Sequence, residues 1–191
     1  LPDKNIFPDI KAMCDEIRAN GQVPGIWFEM EVTTNGSKMF LSEYDDMHLK
    51  RNGQVIKINN FRSYWDFRRE DVRAYLRERV IDFLRDNGFG YIKVDYNANT
   101  GIDADGAESG AEALREHLAA VRDFFVEMKR EIPDLVIENC ASGGHRLEPS
   151  MMAVSGVSSF SDAHECIEEP YIAASLHNLM LPAQSLIWAV L

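Results

Sequence analysis

The sequence is poor in cysteine and in positive charge, and each shortage excludes a class of protein. Its three cysteines, Cys14, Cys140 and Cys166, are odd in number and follow no metal-ligand spacing, which argues against a disulfide framework and a zinc ribbon. The formal net charge is −11, from 20 basic and 31 acidic residues. Because such a charge repels phosphate backbones and anionic lipids, we expect neither nucleic acid nor a membrane as a partner.

The sequence also lacks a long uncharged apolar run, a signal-type amino terminus and an initiating Met. The first absence predicts a chain that does not span a membrane, and the low cysteine content favours a reducing, cytoplasmic location. From the missing Met we expect a piece of a longer protein. No Gly-rich phosphate loop is present either, since Gly101, Gly106 and Gly110 lack the required spacing.

The residues that are present suffice for one buried core. The chain has 191 residues, of which 46% are hydrophobic, so we expect a single domain over residues 1–191. Apolar spacing predicts helices over 8–21, 71–87, 114–128, 151–154 and 171–179. Apolar runs and turn signals predict strands over 23–28, 90–95, 135–139, 157–161 and 185–191, with a hairpin within 33–60. This alternation predicts an α/β fold with a parallel sheet, as a barrel or a doubly wound sheet.

Polar side chains collect where these predicted strands end. They are Glu29, Glu31, Lys93, Asp95, Asn97, Glu138, Asn139, Cys140, Asp162, His164 and Glu165. In a parallel α/β fold the carboxyl ends of the strands converge on one face, where the chemistry takes place. The pattern therefore predicts an active site rich in carboxylates.

Asp95 is the candidate nucleophile. Lys93, Asp95 and Asn97 have the period of two that directs side chains to one side of a strand. We expect the Lys93 cation to lower the pKa of Asp95 and keep it ionised, as a nucleophile requires. The alternative is an ordinary ion pair on a solvated edge strand, although edge strands are rarely as apolar as residues 90–94.

Asp162 supplies a second carboxylate, at the end of a strand further along the sheet. Two carboxylates that flank a cleft can hydrolyse a glycosidic bond, one attacking the sugar carbon and the other protonating the leaving oxygen. The alternative role for Asp162 is to cap the amino terminus of the helix that follows.

A metal site is a further alternative, since His145, Asp162, His164 and Glu165 have side chains that bind metals. Their spacing matches no known metal motif, and a histidine beside a cleft is more often a hydrogen-bonding partner. Trp27, Phe28 and Trp65 are core residues by type, but an aromatic ring at a strand end also stacks on sugars.

Five segments resemble motifs of the α-galactosidases of glycoside hydrolase family 36, in the family's order. Gly25-Ile26-Trp27-Phe28-Glu29-Met30-Glu31 resembles G-(L/I/F)-W-F-E-P-E, and Tyr91-Ile92-Lys93-Val94-Asp95-Tyr96-Asn97 resembles the nucleophile motif Y-x-K-x-D-x-N. The other three are Asn139-Cys140-Ala141-Ser142-Gly143-Gly144, Ser161-Asp162 and the strand end Trp65-Asp66-Phe67-Arg68. The departures include Met30 in place of Pro and Ser159, Ala163 and Glu165 around Asp162. They lie on the leaving-group side, so the resemblance leaves the aglycone and the sugar open.

The resemblance implies a (β/α)8 TIM barrel, with its first and last strands outside the chain. It implies a retaining mechanism without metal or cofactor, with Asp95 as nucleophile on the fourth strand and Asp162 as acid/base on the sixth. An oligosaccharide or glycoside would be the substrate, and a homo-oligomer is compatible with this assignment. The implied substrate-binding residues are Lys93, Asn97, Trp27, Cys140, Gly143 and Arg146.

Other functions remain open from the sequence. A transglycosylase or an α-glycosidase for another sugar would use the same chemistry. A non-catalytic carbohydrate-binding barrel is the alternative from a different class, although the presence of both Asp95 and Asp162 argues against it. A metal-dependent hydrolase would be distinguished by its loss of activity on chelation.

Overall fold

A parallel sheet with helices on one side forms the centre of the molecule. The computed structural model describes residues 3, 5–59, 61–163 and 165–187. The helices are α1 (Ile10–Ala19), α2 (Glu70–Leu76), α3 (Phe83–Asn87), α4 (Gly110–Glu131), α5 (Pro149–Met152) and α6 (Glu169–Leu176). The strands are β1 (Gly25–Phe28), β2 (Val32–Thr34), β3 (Lys50–Arg51), β4 (Gln54–Val55), β5 (Lys57–Ile58), β6 (Arg62–Tyr64), β7 (Tyr91–Val94), β8 (Val136–Asn139), β9 (Val157–Ser159) and β10 (Ser185–Leu186).

Within the described residues, five strands form the central sheet in the order β1-β7-β8-β9-β10, and every neighbouring pair is parallel. The predicted α/β fold with a parallel sheet is therefore confirmed. Because β7 lies between β1 and β8, the edge-strand alternative for the Asp95 segment is wrong. The predicted final strand is observed as β10, and residues 188–191 lie outside the described residues.

The two faces of the sheet differ in chemistry. Ile92, Val94 and Ile137 are fully buried in the main core, where they pack with Phe124 and Phe125 of α4. Residues on the opposite face stand side by side across the strands, because the register aligns Trp27 with Lys93 and Lys93 with Glu138. The alternation of side chains along each strand thus separates an apolar face from a polar one.

One long helix leads into β7. The predicted helix over 71–87 is observed as α2 and α3, joined without interruption by a π-helical segment, Arg77–Asp82, which the sequence pattern does not predict. It ends at Gly88, whose φ of 75° lies in the left-handed region that glycine adopts readily. Near the start of the chain, Asp9 caps α1, because its side-chain oxygen accepts a hydrogen bond from the Ala12 backbone N–H at a donor–acceptor distance of 2.8 Å.

The excursion between β1 and α2 contains the predicted hairpin, formed by β3 and β4 around Asn52-Gly53 with φ angles of 52° and 76°. A second antiparallel sheet has the order β2-β6-β5. Trp65 follows β6 and forms an antiparallel bridge with His48, so the expected strand end at Trp65-Asp66 belongs to this excursion and not to the parallel sheet.

Within the described part of the chain, none of the helices combines the length and apolarity that crossing a bilayer requires.

Candidate active site

Asp95 immediately follows β7, and its carboxylate accepts hydrogen bonds from separate parts of the chain. The indole N–H of Trp27, at the end of β1, donates to Oδ2 at 3.3 Å. The backbone N–H of Tyr96 donates to Oδ1 at 3.0 Å. The side chains of Asn97 and Cys140 also favour the charged form of this carboxylate, so three neighbouring strands contribute to its surroundings.

These donors keep Asp95 ionised. Only 8% of Asp95 is exposed, and burial by itself raises the pKa of a carboxyl group. Hydrogen bonds from Asn97, Cys140, Trp27 and the Tyr96 backbone outweigh burial, so the pKa of Asp95 lies below its ordinary value. The site therefore holds a partly desolvated carboxylate that is charged at neutral pH.

The expected effect of the Lys93 cation is not among the main causes of this lowered pKa. Its ammonium group pairs with Glu138 of β8 at 3.3 Å and lies 3.4 Å from the Ser159 hydroxyl of β9. Glu138 also accepts hydrogen bonds from Ser159 and from Tyr91. Glu138 is only 4% exposed, so a buried carboxylate on the next strand attracts the lysine, and hydrogen bonds are the main cause of the lowered pKa of Asp95.

Cys140 and Asn97 connect Asp95 to its neighbours. Burial raises the pKa of the Cys140 thiol to about 11, and the adjacent Asp95 charge contributes to this increase, so the thiol is protonated and donates at neutral pH. The Asn97 amide also donates to Oε1 of Glu29 at 2.7 Å, and its oxygen accepts from the Ser142 hydroxyl at 3.2 Å. Asn97 is thus held by residues that follow β1 and β8.

Arg62 belongs to this site, although the sequence pattern did not indicate it. Its guanidinium pairs with Oε2 of Glu29 at 3.2 Å and approaches the Asn97 carbonyl at 3.4 Å. Arg62 lies on β6, in the antiparallel excursion. When a basic residue lies in a polar, irregular segment, the sequence does not indicate that folding brings it next to the end of a parallel strand.

Asp162 is exposed and lies three residues after β9, two strands from Asp95 in the sheet order. The helix that follows begins at Glu169 with Glu168 as its cap residue, so the alternative of a helix-capping role for Asp162 is wrong. The neighbouring loop after β8 approaches this segment closely. A Cβ atom on Gly143 would lie 2.9 Å from the backbone nitrogen of Asp162, and one on Gly144 would lie 2.7 Å from the Phe160 carbonyl oxygen.

Arg146 has its guanidinium in the interior of the protein and not at the mouth of the site. It forms an ion pair with Glu31, and its Nε donates to the Asn139 side-chain oxygen at 3.2 Å. Glu31, Asn139 and Arg146 are 1%, 1% and 9% exposed. Glu31 and Asn139, which the sequence places among the polar residues at the strand ends, therefore turn their side chains inward to contact Arg146.

The metal alternative gains no support from the part of the chain that the structure describes, which contains no group of three or more metal-ligating side chains. His164, one of the four residues considered for it, lies outside the described residues.

A family model described as Melibiase matches residues 2–188. The chain belongs to the melibiase family. Solved structures agree with this assignment at the level of the fold. The chain resembles the GH36 α-galactosidase AgaA of Geobacillus stearothermophilus with a TM-score of 0.85 and 19% identity, covering 97% of this chain and 26% of that one. The α-galactosidase of Lactobacillus brevis gives a TM-score of 0.81 and 21% identity, covering 96% of this chain and 25% of that one.

A curated relative in the family is Alpha-galactosidase 2 of Pediococcus pentosaceus, which is 24% identical over 161 residues, or 83% of this chain and 22% of the relative. Alpha-galactosidase Mel36A of Lactobacillus acidophilus is 25% identical over 158 residues, or 76% of this chain and 20% of the relative. This melibiase-family chain thus spans about a fifth of the length of the curated relatives that it matches.

Proposed function

We propose that the whole protein hydrolyses terminal α-galactosides by a retaining double displacement, with Asp95 as nucleophile and Asp162 as acid/base. The observation that carries this proposal is the set of hydrogen bonds around Asp95. Together they lower the pKa of a carboxylate that is only 8% exposed. An ionised, partly desolvated carboxylate at a strand end is suited to attack on an anomeric carbon.

In the first step, Asp95 attacks the anomeric carbon and forms a glycosyl ester while the bond to the leaving oxygen breaks. Asp162 donates its proton to that oxygen. In the second step, Asp162 removes a proton from water, which attacks the anomeric carbon and releases Asp95. Two displacements at the same carbon return the original α configuration.

The remaining site residues have roles that follow from their contacts. We propose that the ring of Trp27, which is half exposed, stacks on the sugar while its N–H holds Asp95. Lys93 and Asn97 would donate to sugar hydroxyls, and Cys140 would lie against the sugar as a protonated thiol. We infer that residues 1–191 are part of a (β/α)8 barrel in which β7 and β9 are the fourth and sixth strands.

The substrate class is supported by the relatives. Solved structures with this fold include a variant of AgaA in complex with stachyose, another in complex with raffinose, and an α-galactosidase of Thermus thermophilus in complex with p-nitrophenyl α-D-galactopyranoside. A neutral glycoside also suits a chain whose formal net charge is −11.

The test is to follow hydrolysis of p-nitrophenyl α-galactoside by the whole protein and to identify the first anomer of free galactose by NMR. We expect α-galactose to appear first and to mutarotate later. The β anomer first would contradict the retaining mechanism. Cleavage of another aryl α-glycoside in preference would contradict the sugar assignment, and binding without turnover would support the non-catalytic alternative. Loss of activity with a chelator would support the metal-dependent one.

A further inference from the structure

A buried ion pair lies behind the active site, and the mechanism above makes no use of it. Glu31 follows β1 and Arg146 follows β8, and the Nη1 atom of Arg146 donates to Oε1 of Glu31. The second oxygen of Glu31 and the Nη2 atom of Arg146 are buried and, within the described residues, have no hydrogen-bond partner. Burying two charges costs desolvation free energy, and an ion pair in which some polar atoms lack hydrogen-bond partners offsets only part of that cost. Stability alone does not account for this pair.

Towards the nucleophile, the pair holds the residue next to Asp95. The Arg146 guanidinium lies over the ring of Tyr96, 5.1 Å from its centroid, and over that of Phe125 at 5.5 Å. The backbone N–H of Tyr96 donates to Asp95 at 3.0 Å. A shift of the guanidinium would therefore move the Tyr96 ring, and with it a donor to the nucleophile.

Towards the acid/base, the pair holds the loop after β8. Asn139 accepts from Arg146 Nε at 3.2 Å, and its amide donates to the Arg146 carbonyl at 2.6 Å. These two bonds close the segment 139–146, which contains Gly143. Gly143 approaches the Asp162 backbone so closely that no Cβ fits between them without a shift. The loop therefore sets where the Asp162 backbone lies.

We propose that Glu31 and Arg146 are positioning residues that fix the placement of Asp95 relative to Asp162. The pair connects the end of β1, the residue that follows Asp95 and the loop that touches Asp162, and it reaches neither carboxylate directly. This inference rests on the proposed function, because it assumes that both carboxylates act on one substrate. A small misplacement of reacting groups lowers turnover strongly, by about 10²-fold for 1 Å.

The test compares variants of the whole protein. Arg146→Met leaves the Glu31 charge buried without a partner, so it should lower the melting temperature. Glu31→Gln/Arg146→Met removes both charges and should restore the melting temperature to near that of the wild type. We expect kcat of this double variant to stay about 10²-fold below wild type, with KM nearly unchanged, because alignment is lost and not binding. The matched control, Arg122→Met/Asp123→Asn, removes a solvent-exposed pair on α4 and should retain wild-type kcat.

The outcomes separate a positioning role from a structural one. Recovery of both the melting temperature and kcat in Glu31→Gln/Arg146→Met would show a purely structural pair and overturn the inference. If that variant does not fold, Arg146→Lys decides, because it keeps the charge but not the planar group over Tyr96. Wild-type kcat in a folded Arg146→Lys would overturn the inference, and a loss of about tenfold would support it. Absence of α-galactosidase activity in the wild type would contradict the proposed function and, with it, the role of the pair.

Discussion

At the scale of single residues, the state of Asp95 depends on donors that are distant in sequence. Trp27, Asn97 and Cys140 lie on or after three different strands, and each stabilises the charged form of the carboxylate. Lys93, two residues before Asp95 and its expected partner from the sequence, pairs with Glu138. The lowered pKa of Asp95 agrees in direction with the predicted ionisation, and its main physical cause is a set of hydrogen bonds.

Trp27→Phe tests this cause. The substitution keeps an aromatic ring but removes the N–H that donates to Asp95 at 3.3 Å, so the pKa of Asp95 should rise. Because the nucleophile must be ionised, the acidic limb of the kcat/KM profile of the whole protein should move to higher pH. The basic limb, which reports the acid/base, should stay in place as an internal control. An acidic limb that does not move would show that the Trp27 N–H does not stabilise the charged form of Asp95.

Gly143→Ala tests the contact between the β8 loop and Asp162. The new Cβ would lie 2.9 Å from the Asp162 nitrogen, so the segment must shift. We expect kcat/KM to fall by about 10²-fold, and more for substrates with poor leaving groups, which need protonation most. Gly21→Ala is the matched control, since Gly21 has a nearly equal φ, 76° against 77°, but nothing lies within 4 Å of its Cβ position. Equal losses of kcat/KM in the two variants would show that backbone strain, and not the contact with Asp162, causes the effect.

At the scale of elements, the sequence predicts most helices and parallel strands because apolar periodicity and turn residues act locally. The helix predicted over 71–87 and the strand predicted over 90–95 are examples. Contacts between elements leave no such pattern. No local sequence pattern indicates that Arg62 pairs with Glu29. The same is true of Glu31, which turns inward to pair with Arg146. Each contact depends on which loops meet after folding.

The loop over residues 98–109, which follows the Asp95 segment, is held by the β3–β4 hairpin. Arg51 forms an ion pair with Asp103 and donates to the carbonyls of Thr100 and Asp103 at 2.7 and 2.8 Å. Arg51→Ala should lower the free energy of unfolding by about 1–2 kcal/mol and speed amide exchange across this loop. Arg115→Ala, which removes an exposed ion pair on α4, is the control. Unchanged exchange in Arg51→Ala would show that the loop is held by other contacts.

At the scale of the whole molecule, the parallel sheet exposes backbone and apolar groups at β1. Within the described residues, β1 pairs with β7 on one side alone, and a cavity of about 510 Å³ beside it is lined mainly by apolar residues, including Phe7, Ile26 and Phe83. We expect a polypeptide of residues 1–191 to be inactive and to self-associate, because open sheet edges pair with other chains and an unclosed sheet positions its strand ends poorly. Specific activity on an aryl α-galactoside equal to that of the whole protein would contradict this expectation.

The central claim, that Asp95 is the nucleophile of a retaining α-galactosidase, is tested most directly by azide rescue of Asp95→Gly in the whole protein. Without the carboxylate no glycosyl ester forms, so turnover of an aryl α-galactoside should fall by more than about 10⁴-fold. Azide should enter the space left by the side chain and restore cleavage, and NMR should identify the product as β-galactosyl azide. Near-normal turnover without azide, or an α-galactosyl azide product, would contradict the account.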